Sequence, residues 1–122
     1  MATAQLKKFA RKARVQLENA EVDKELLVDL YRNYANVGNT AHFINQALKQ
    51  FPQLNCGIAS LYLKYHLGKG VVIQGRYESH NHTFLLVDKK TVIDITADQY
   101  GGPSVYVGEL QKPWGILNRI AR

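Results

Sequence analysis

The chain has 122 residues, of which 46% are hydrophobic and 21% charged, which is typical of one globular domain. Its single cysteine excludes an internal disulfide and a multi-cysteine zinc site, and the absence of a long apolar run excludes a membrane span. The net charge is +6, and the N-terminus lacks the apolar core of a secretory signal. We therefore expect a cytoplasmic protein, or one exported by a route that needs no cleaved signal peptide.

The first half of the chain carries only helical patterns. Apolar residues recur at helical spacing from about Thr3 to Glu18, from the N-cap Asp23 to about Tyr34, and from Thr40 onward. Five basic residues and no acidic ones fall between positions 7 and 14 of the first helix: Lys7, Lys8, Arg11, Lys12 and Arg14. This segment is either a solvated helix face or a surface for an acidic partner, and without a nucleic-acid-binding pattern we do not expect nucleic acid there.

A fourth helix is predicted from Cys56 to about Leu67. Phe51-Pro52 should end the preceding helix, and the side chain of Asn55 is expected to cap the new one by accepting a backbone N–H. Cys56 would then lie in the first turn, where the positive end of the helix dipole favours a thiolate. A lone cysteine is also a common small core residue, so this placement needs supporting partners.

Strand patterns begin after Gly70. Strands are predicted at 71–77, 82–87, 91–95 and 105–107. We expect a polar turn at 78–81, a tight hairpin turn at 88–90, and a closing turn or short helix around 114–117. The prediction is therefore one α+β domain over 1–122, with helices in 1–50 and a Cys-bearing helix packed on a small antiparallel sheet in 51–122.

Two polar residues interrupt the apolar strands. His82 opens one strand and Asp94 lies inside the next, and with a turn near Lys89 position 82 faces roughly position 96. The two side chains are therefore expected to be cross-strand or diagonal neighbours, facing the helix that carries Cys56. An imidazole can take the proton of a thiol, and a carboxylate on its other nitrogen fixes the tautomer. The pattern predicts a Cys56–His82–Asp94 triad.

Alternatives remain open at two of these positions. His80 is a second candidate for the base, and Asp98 is a second candidate for the carboxylate or a residue at the mouth of the site. Each residue also has a purely structural interpretation, although a buried aspartate without a partner is costly. His80 and His82 with Cys56 could suggest zinc, but one thiol and two close histidines are a weak ligand set, and we expect no metal or other cofactor.

The order of these elements resembles that of the papain-like and transglutaminase-like cysteine enzymes. A Cys-Gly helix is followed by the strand from His82 to Val87 and then by Ile93-Asp94-Ile95. The resemblance implies a nucleophile at Cys56, a base at His82 and an orienting carboxylate at Asp94. It also implies an oxyanion-stabilising glutamine six residues before the cysteine, a spacing that Gln50 occupies and for which Gln53 is a rival. Gly57 follows the cysteine where papain-type enzymes carry an aromatic residue, which argues against a close papain relative.

These inferences predict a cysteine-dependent amide hydrolase of the peptidase or amidase type. Its thiolate would form a thioester with a protein or peptide substrate. A protein-glutamine deamidase or a transglutaminase would share the same first half-reaction. The alternative from another class is a non-enzymatic interaction domain, in which the basic first helix binds a partner and Cys56 is inert.

Overall fold

Four helices form the first half of the computed structural model, which describes residues 2–116. They are α1 Thr3–Glu18, α2 Lys24–Arg32, α3 Thr40–Lys49 and α4 Cys56–Leu67. Asp23 Oδ1 accepts the N–H groups of Glu25 at 3.0 Å and Leu26 at 3.2 Å, so the predicted cap of α2 is confirmed. The helical spacing of apolar residues therefore predicted all four helices, with α2 two residues shorter than expected.

Within residues 2–116, five strands form one antiparallel sheet in the order β4-β3-β2-β1-β5. Their bounds are β1 Val71–Tyr77, β2 His80–Val87, β3 Thr91–Asp94, β4 Tyr106–Glu109 and β5 Trp114–Ile116. A short 3-10 helix, Ala97–Tyr100, follows β3. The structure thus confirms an α+β fold with four helices and an antiparallel sheet. No helix in the described part of the chain is long and apolar enough to cross a membrane.

Two sequence predictions for this sheet were wrong. The predicted polar turn at 78–81 is shorter, because His80 and Asn81 pair with Tyr77 and Arg76 and so belong to β2. The segment predicted as a closing turn or short helix is β5, which pairs with β1 through Trp114 and Tyr77. Position 117 of that prediction lies outside the described residues. Both errors arose because pairing with β1, a tertiary contact, overrode the local pattern.

The sheet separates two apolar clusters. One face packs against the helices through residues such as Leu85 and Ile93, and the other carries a smaller cluster that includes Phe84, Val92 and Trp114. Side chains alternate between the faces along each strand. His82 and Asp94 therefore project on the side of the smaller cluster, and the ring of His82 also reaches the cavity that Cys56 of α4 lines.

Arg14 binds α1 to the segment that follows β3 through hydrogen bonds. The side chain is only 8% exposed. Its guanidinium donates to both carboxylate oxygens of Asp98 at 2.8 and 2.9 Å, and to the carbonyl of Ile95 at 2.9 Å. Arg14 therefore cannot belong to an exposed basic surface. The other four basic residues of that segment are exposed: Lys7, Lys8, Arg11 and Lys12.

Candidate active site

The site is built around His82, which is 2% exposed. Its Nε2 lies 2.7 Å from Asp94 Oδ2, a distance typical of a charge-assisted hydrogen bond. Leu85 pairs with Ile93, so the same register extended toward the strand ends sets position 82 opposite position 96, and Asp94 is the diagonal neighbour. The sequence-predicted register thus agrees with the structure, which brings His82 and Asp94 together.

The carboxylate of Asp94 is held on both oxygens. Oδ2 also accepts the indole N–H of Trp114 at 2.7 Å, while Oδ1 accepts the backbone N–H of Thr96 at 2.9 Å. Asp94 is itself only 2% exposed. Because a buried carboxylate needs hydrogen-bond donors on its oxygens, these donors satisfy Asp94 and fix its orientation. Asp94 is thereby rigidly aimed at His82.

Cys56 and His82 line the same cavity of about 310 Å³. Gln74, Gly75, Asn81 and Thr83 complete its lining. Nδ1 of His82 is buried and has no partner at standard hydrogen-bond geometry within residues 2–116. The Cys56 thiol and the His82 ring are nevertheless near enough to shift each other's pKa. Such loose contacts are common in catalytic sites without substrate.

The two groups shift each other toward the charged pair. Burial raises the pKa of the Cys56 thiol, but the His82 ring and the backbone N–H of Thr83 outweigh this effect and leave the pKa below its ordinary value. Burial lowers the pKa of His82, but the hydrogen bond to Asp94 and the contact with Cys56 outweigh it and raise the pKa to about 9. Both shifts therefore favour the charged pair, a thiolate beside an imidazolium, over the neutral pair.

Asn55 holds Cys56 in place by a different contact from the one predicted. It lies at the N-cap of α4, but its side chain accepts no N–H of the helix. Its Nδ2 instead donates to the carbonyls of Ala47 and Gln53, each at 2.7 Å. Its backbone is not extended as an N-cap usually is, so the prediction of a capping side chain was wrong. The side chain therefore connects the loop before Cys56 to α3, and it does not cap the first N–H groups of α4.

The other sequence candidates lie elsewhere. Gln50 and Gln53 are exposed and do not line the cavity that contains Cys56. Asp98 is bonded to Arg14 and not to His82. His80 is exposed, and its ring stacks on Tyr100 with centroids 4.4 Å apart. Of the two histidines, only His82 is hydrogen-bonded to Asp94.

Sequence reasoning missed three residues of the site. Trp114 and Thr96 bind Asp94, and Gln74 lines the cavity beside Cys56. Thr96 follows Asp94 by two residues, the spacing at which an aspartate side chain accepts a backbone N–H in a local turn. The bond between them could therefore have been predicted from the sequence. Trp114 and Gln74 gave no local signal because their roles depend on strand pairing. Within residues 2–116, no three His, Cys, Asp or Glu side chains cluster as metal ligands would.

Comparisons with protein-family models, with curated proteins and with solved structures found no match to this chain. A thiol with a lowered pKa at a helix start, a buried imidazole and a fixed carboxylate can perform nucleophilic attack on a carbonyl and proton transfer to a leaving group.

Proposed function

We propose that the protein is a cysteine-dependent amide hydrolase of the peptidase or amidase type. One observation carries the proposal: the buried ring of His82 is bound to Asp94 through Nε2, and its Nδ1 has no partner within residues 2–116, in a cavity that Cys56 also lines. A histidine with a purely structural role needs no cysteine of lowered pKa in the same cavity. The combination of the two is what supports an enzyme.

In the proposed reaction, Cys56 Sγ attacks the carbonyl carbon of an amide and forms a C–S bond, and the carbonyl electron pair moves to oxygen. As the tetrahedral intermediate collapses, the C–N bond breaks and the protonated Nδ1 of His82 gives its proton to the leaving amine. The neutral ring then takes a proton from water, whose oxygen attacks the thioester. The acid is released, and the thiolate–imidazolium pair is restored.

The proposal extends to membership of the papain-like and transglutaminase-like group, with protein or peptide substrates. The order of Cys56, His82 and Asp94 on α4, β2 and β3 supports it. Glutamine deamidation and transglutamination remain alternatives, because they differ from peptide hydrolysis only in the leaving group or in the nucleophile that attacks the thioester. Release of ammonia from an intact peptide would favour them, whereas new peptide termini would favour proteolysis.

The first prediction concerns the reactivity of Cys56 as a function of pH. Alkylation by iodoacetamide should titrate below the pKa of about 8.5 of an ordinary thiol, because the imidazolium of His82 stabilises the thiolate. In His82→Ala only burial, which raises the pKa of the thiol, and the contact with Thr83, which lowers it, remain. The pH at which alkylation titrates should therefore rise. Stopped alkylation followed by mass spectrometry of the intact chain measures the rate at each pH.

His66→Ala is the matched control, since this exposed histidine lies in the last turn of the same helix. The rate of Cys56 alkylation in this variant should have the same pH dependence as in the unmodified protein. A thiol that titrates as an unperturbed cysteine, with no response to His82→Ala, would show that the triad is not functional.

A second candidate function is supported by the exposed basic face of α1. Lys7, Lys8, Arg11 and Lys12 point into solvent with no acidic residue in the first turn of the helix. We propose that this face, without Arg14, attracts an acidic protein surface. This role is compatible with catalysis, but by itself it would make the protein an interaction domain.

Charge reversal tests this surface. The triple variant of Lys8→Glu, Arg11→Glu and Lys12→Glu should bind a fluorescently labelled oligoglutamate peptide at least about tenfold more weakly at low salt, because attraction becomes repulsion. Fluorescence anisotropy across a salt series measures the effect. Unchanged binding with an unchanged salt dependence would eliminate the surface.

A further inference from the structure

The proposed acyl transfer needs donors for the oxygen that becomes negative in the tetrahedral intermediate. The uncapped N–H groups at the start of α4 can supply one such donor. The sequence suggested Gln50 as the second, but Gln50 lies outside the cavity. The residue that supplies the second donor is therefore to be found among the side chains that line the cavity.

Gln74 is the glutamine that lines the cavity with Cys56. It lies on β1 directly opposite Thr83 of β2, the residue whose backbone N–H helps to lower the pKa of Cys56. Alternation along β1 sets Gln74 on the helix side of the sheet, as its bond to Tyr34 confirms. Its amide therefore projects on the side from which α4 presents the thiol.

A contact with the turn that follows α2 holds this amide in position. Gln74 Nε2 donates to Tyr34 Oη at 3.0 Å. The ring of Tyr34 in turn lies so close to Gly57 that a Cβ there would be 3.3 Å from Tyr34 Cε2. Gly57 directly follows Cys56, so Tyr34 connects Gln74 to the first turn of α4. The lack of a side chain at position 57 makes this approach possible.

The amide nitrogen of glutamine carries two hydrogens, and Tyr34 accepts only one of them. The second has no acceptor within residues 2–116 and is available to a bound substrate. We propose that Gln74 is a catalytic residue that donates this N–H to the oxyanion, together with an N–H of the first turn of α4. The assignment rests on the proposed function, because it applies only if Cys56 attacks a carbonyl group.

A pair of reagents separates this role from the activation of the thiol. With p-nitrophenyl acetate, Sγ attacks the ester carbon, an oxyanion forms, and its collapse expels p-nitrophenolate and leaves an acetyl thioester. With iodoacetamide, Sγ displaces iodide at a saturated carbon and no oxyanion forms. Loss of an oxyanion donor should therefore slow only the first reaction.

The experiment measures both rates in Gln74→Ala, in the unmodified protein and in Gln46→Ala. Gln46 is an exposed glutamine on α3 outside the cavity and serves as the matched control. We expect acetylation of Cys56 to slow on the order of 100-fold in Gln74→Ala, with alkylation changed less than about twofold. Gln74→Glu keeps the length of the side chain but has no N–H to donate, so it should show the same selective loss. Cys56→Ala supplies the background of non-specific acetylation.

Each other outcome overturns the assignment. If acetylation and alkylation slowed equally in Gln74→Ala, Gln74 would act on the reactivity of the thiol or on the fold. If both rates were unchanged, Gln74 would have no role in the reaction. A selective loss in Gln50→Ala with normal rates in Gln74→Ala would transfer the role to Gln50. If the unmodified protein shows no acetylation dependent on Cys56, the proposed function fails as well. If that acetylation is present but indifferent to Gln74, only the present assignment fails.

Discussion

Replacement of Arg14 by leucine is expected to lower the free energy of unfolding by roughly 2–4 kcal/mol. The substitution removes a buried cation and leaves the Asp98 carboxylate and the Ile95 carbonyl without their donor. Asp98 keeps a side-chain exposure of 27%, so water compensates part of its loss, and the effect should fall short of that for a fully buried pair. Urea denaturation followed by circular dichroism measures the change.

Arg11→Leu is the matched control for this prediction, since Arg11 is exposed on the same helix. Its effect should stay within about 0.5 kcal/mol. Arg14→Lys should lie between the two, because an ammonium keeps the charge but cannot bind both oxygens of Asp98 in the geometry of a guanidinium. If Arg14→Leu were no more damaging than Arg11→Leu, the contacts of Arg14 would contribute no net stability.

Replacement of Asp94 by asparagine is expected to slow acetylation of Cys56 at neutral pH by at least about 100-fold. An analogous change in a serine enzyme costs about 10⁴-fold, and a thiol depends less on its base than a hydroxyl does. An amide has one acceptor oxygen, whereas Asp94 accepts from His82 and Trp114 on one oxygen and from Thr96 on the other. In the variant an NH₂ group must therefore face at least one of these donors.

The same variant should change the pH dependence of the site. In the native protein the pKa of His82 is raised to about 9, so the ring stays protonated at neutral pH and loses its proton as pH rises through that value. Without the charge of Asp94 the ring loses one of the two groups that raise its pKa, so the pKa should fall. NMR titration of the ring nitrogens measures it directly.

Asp88→Asn, at an exposed carboxylate on the turn after β2, is the control and should leave the pKa of His82 and the acetylation rate unchanged. A pKa near 9 that survives in Asp94→Asn would show that Asp94 is not the main support of the imidazolium.

Much of the fold could be predicted because its signals are local. The stripe of Leu6, Ala10 and Leu17 is buried as its helical spacing predicts, and α4 begins and ends at the predicted residues Cys56 and Leu67. The hairpin register could also be estimated, because a short turn links the two strands and fixes which residues face each other. That register is why the amino-acid sequence alone was enough to pair His82 with Asp94.

The remaining features depend on contacts between distant parts of the chain. Arg14 looked like part of a basic surface because its partner Asp98 lies 84 residues away. Trp114 gave no sign of a strand, because β5 has three residues and exists through its pairing with β1. Gln74 was one polar residue in a strand until the sheet brought it to the cavity of Cys56. Local patterns carry no information about such pairings.

The bond from Trp114 to Asp94 also has a consequence for the order in which the site is assembled. During synthesis, Cys56, His82 and Asp94 leave the ribosome well before Trp114, and N-terminal parts of a chain can begin to fold first. Until β5 pairs with β1, Asp94 Oδ2 lacks its indole donor, so its orientation toward His82 is incomplete. Pairing of β5 with β1 is therefore the step that completes the hydrogen bonding of Asp94.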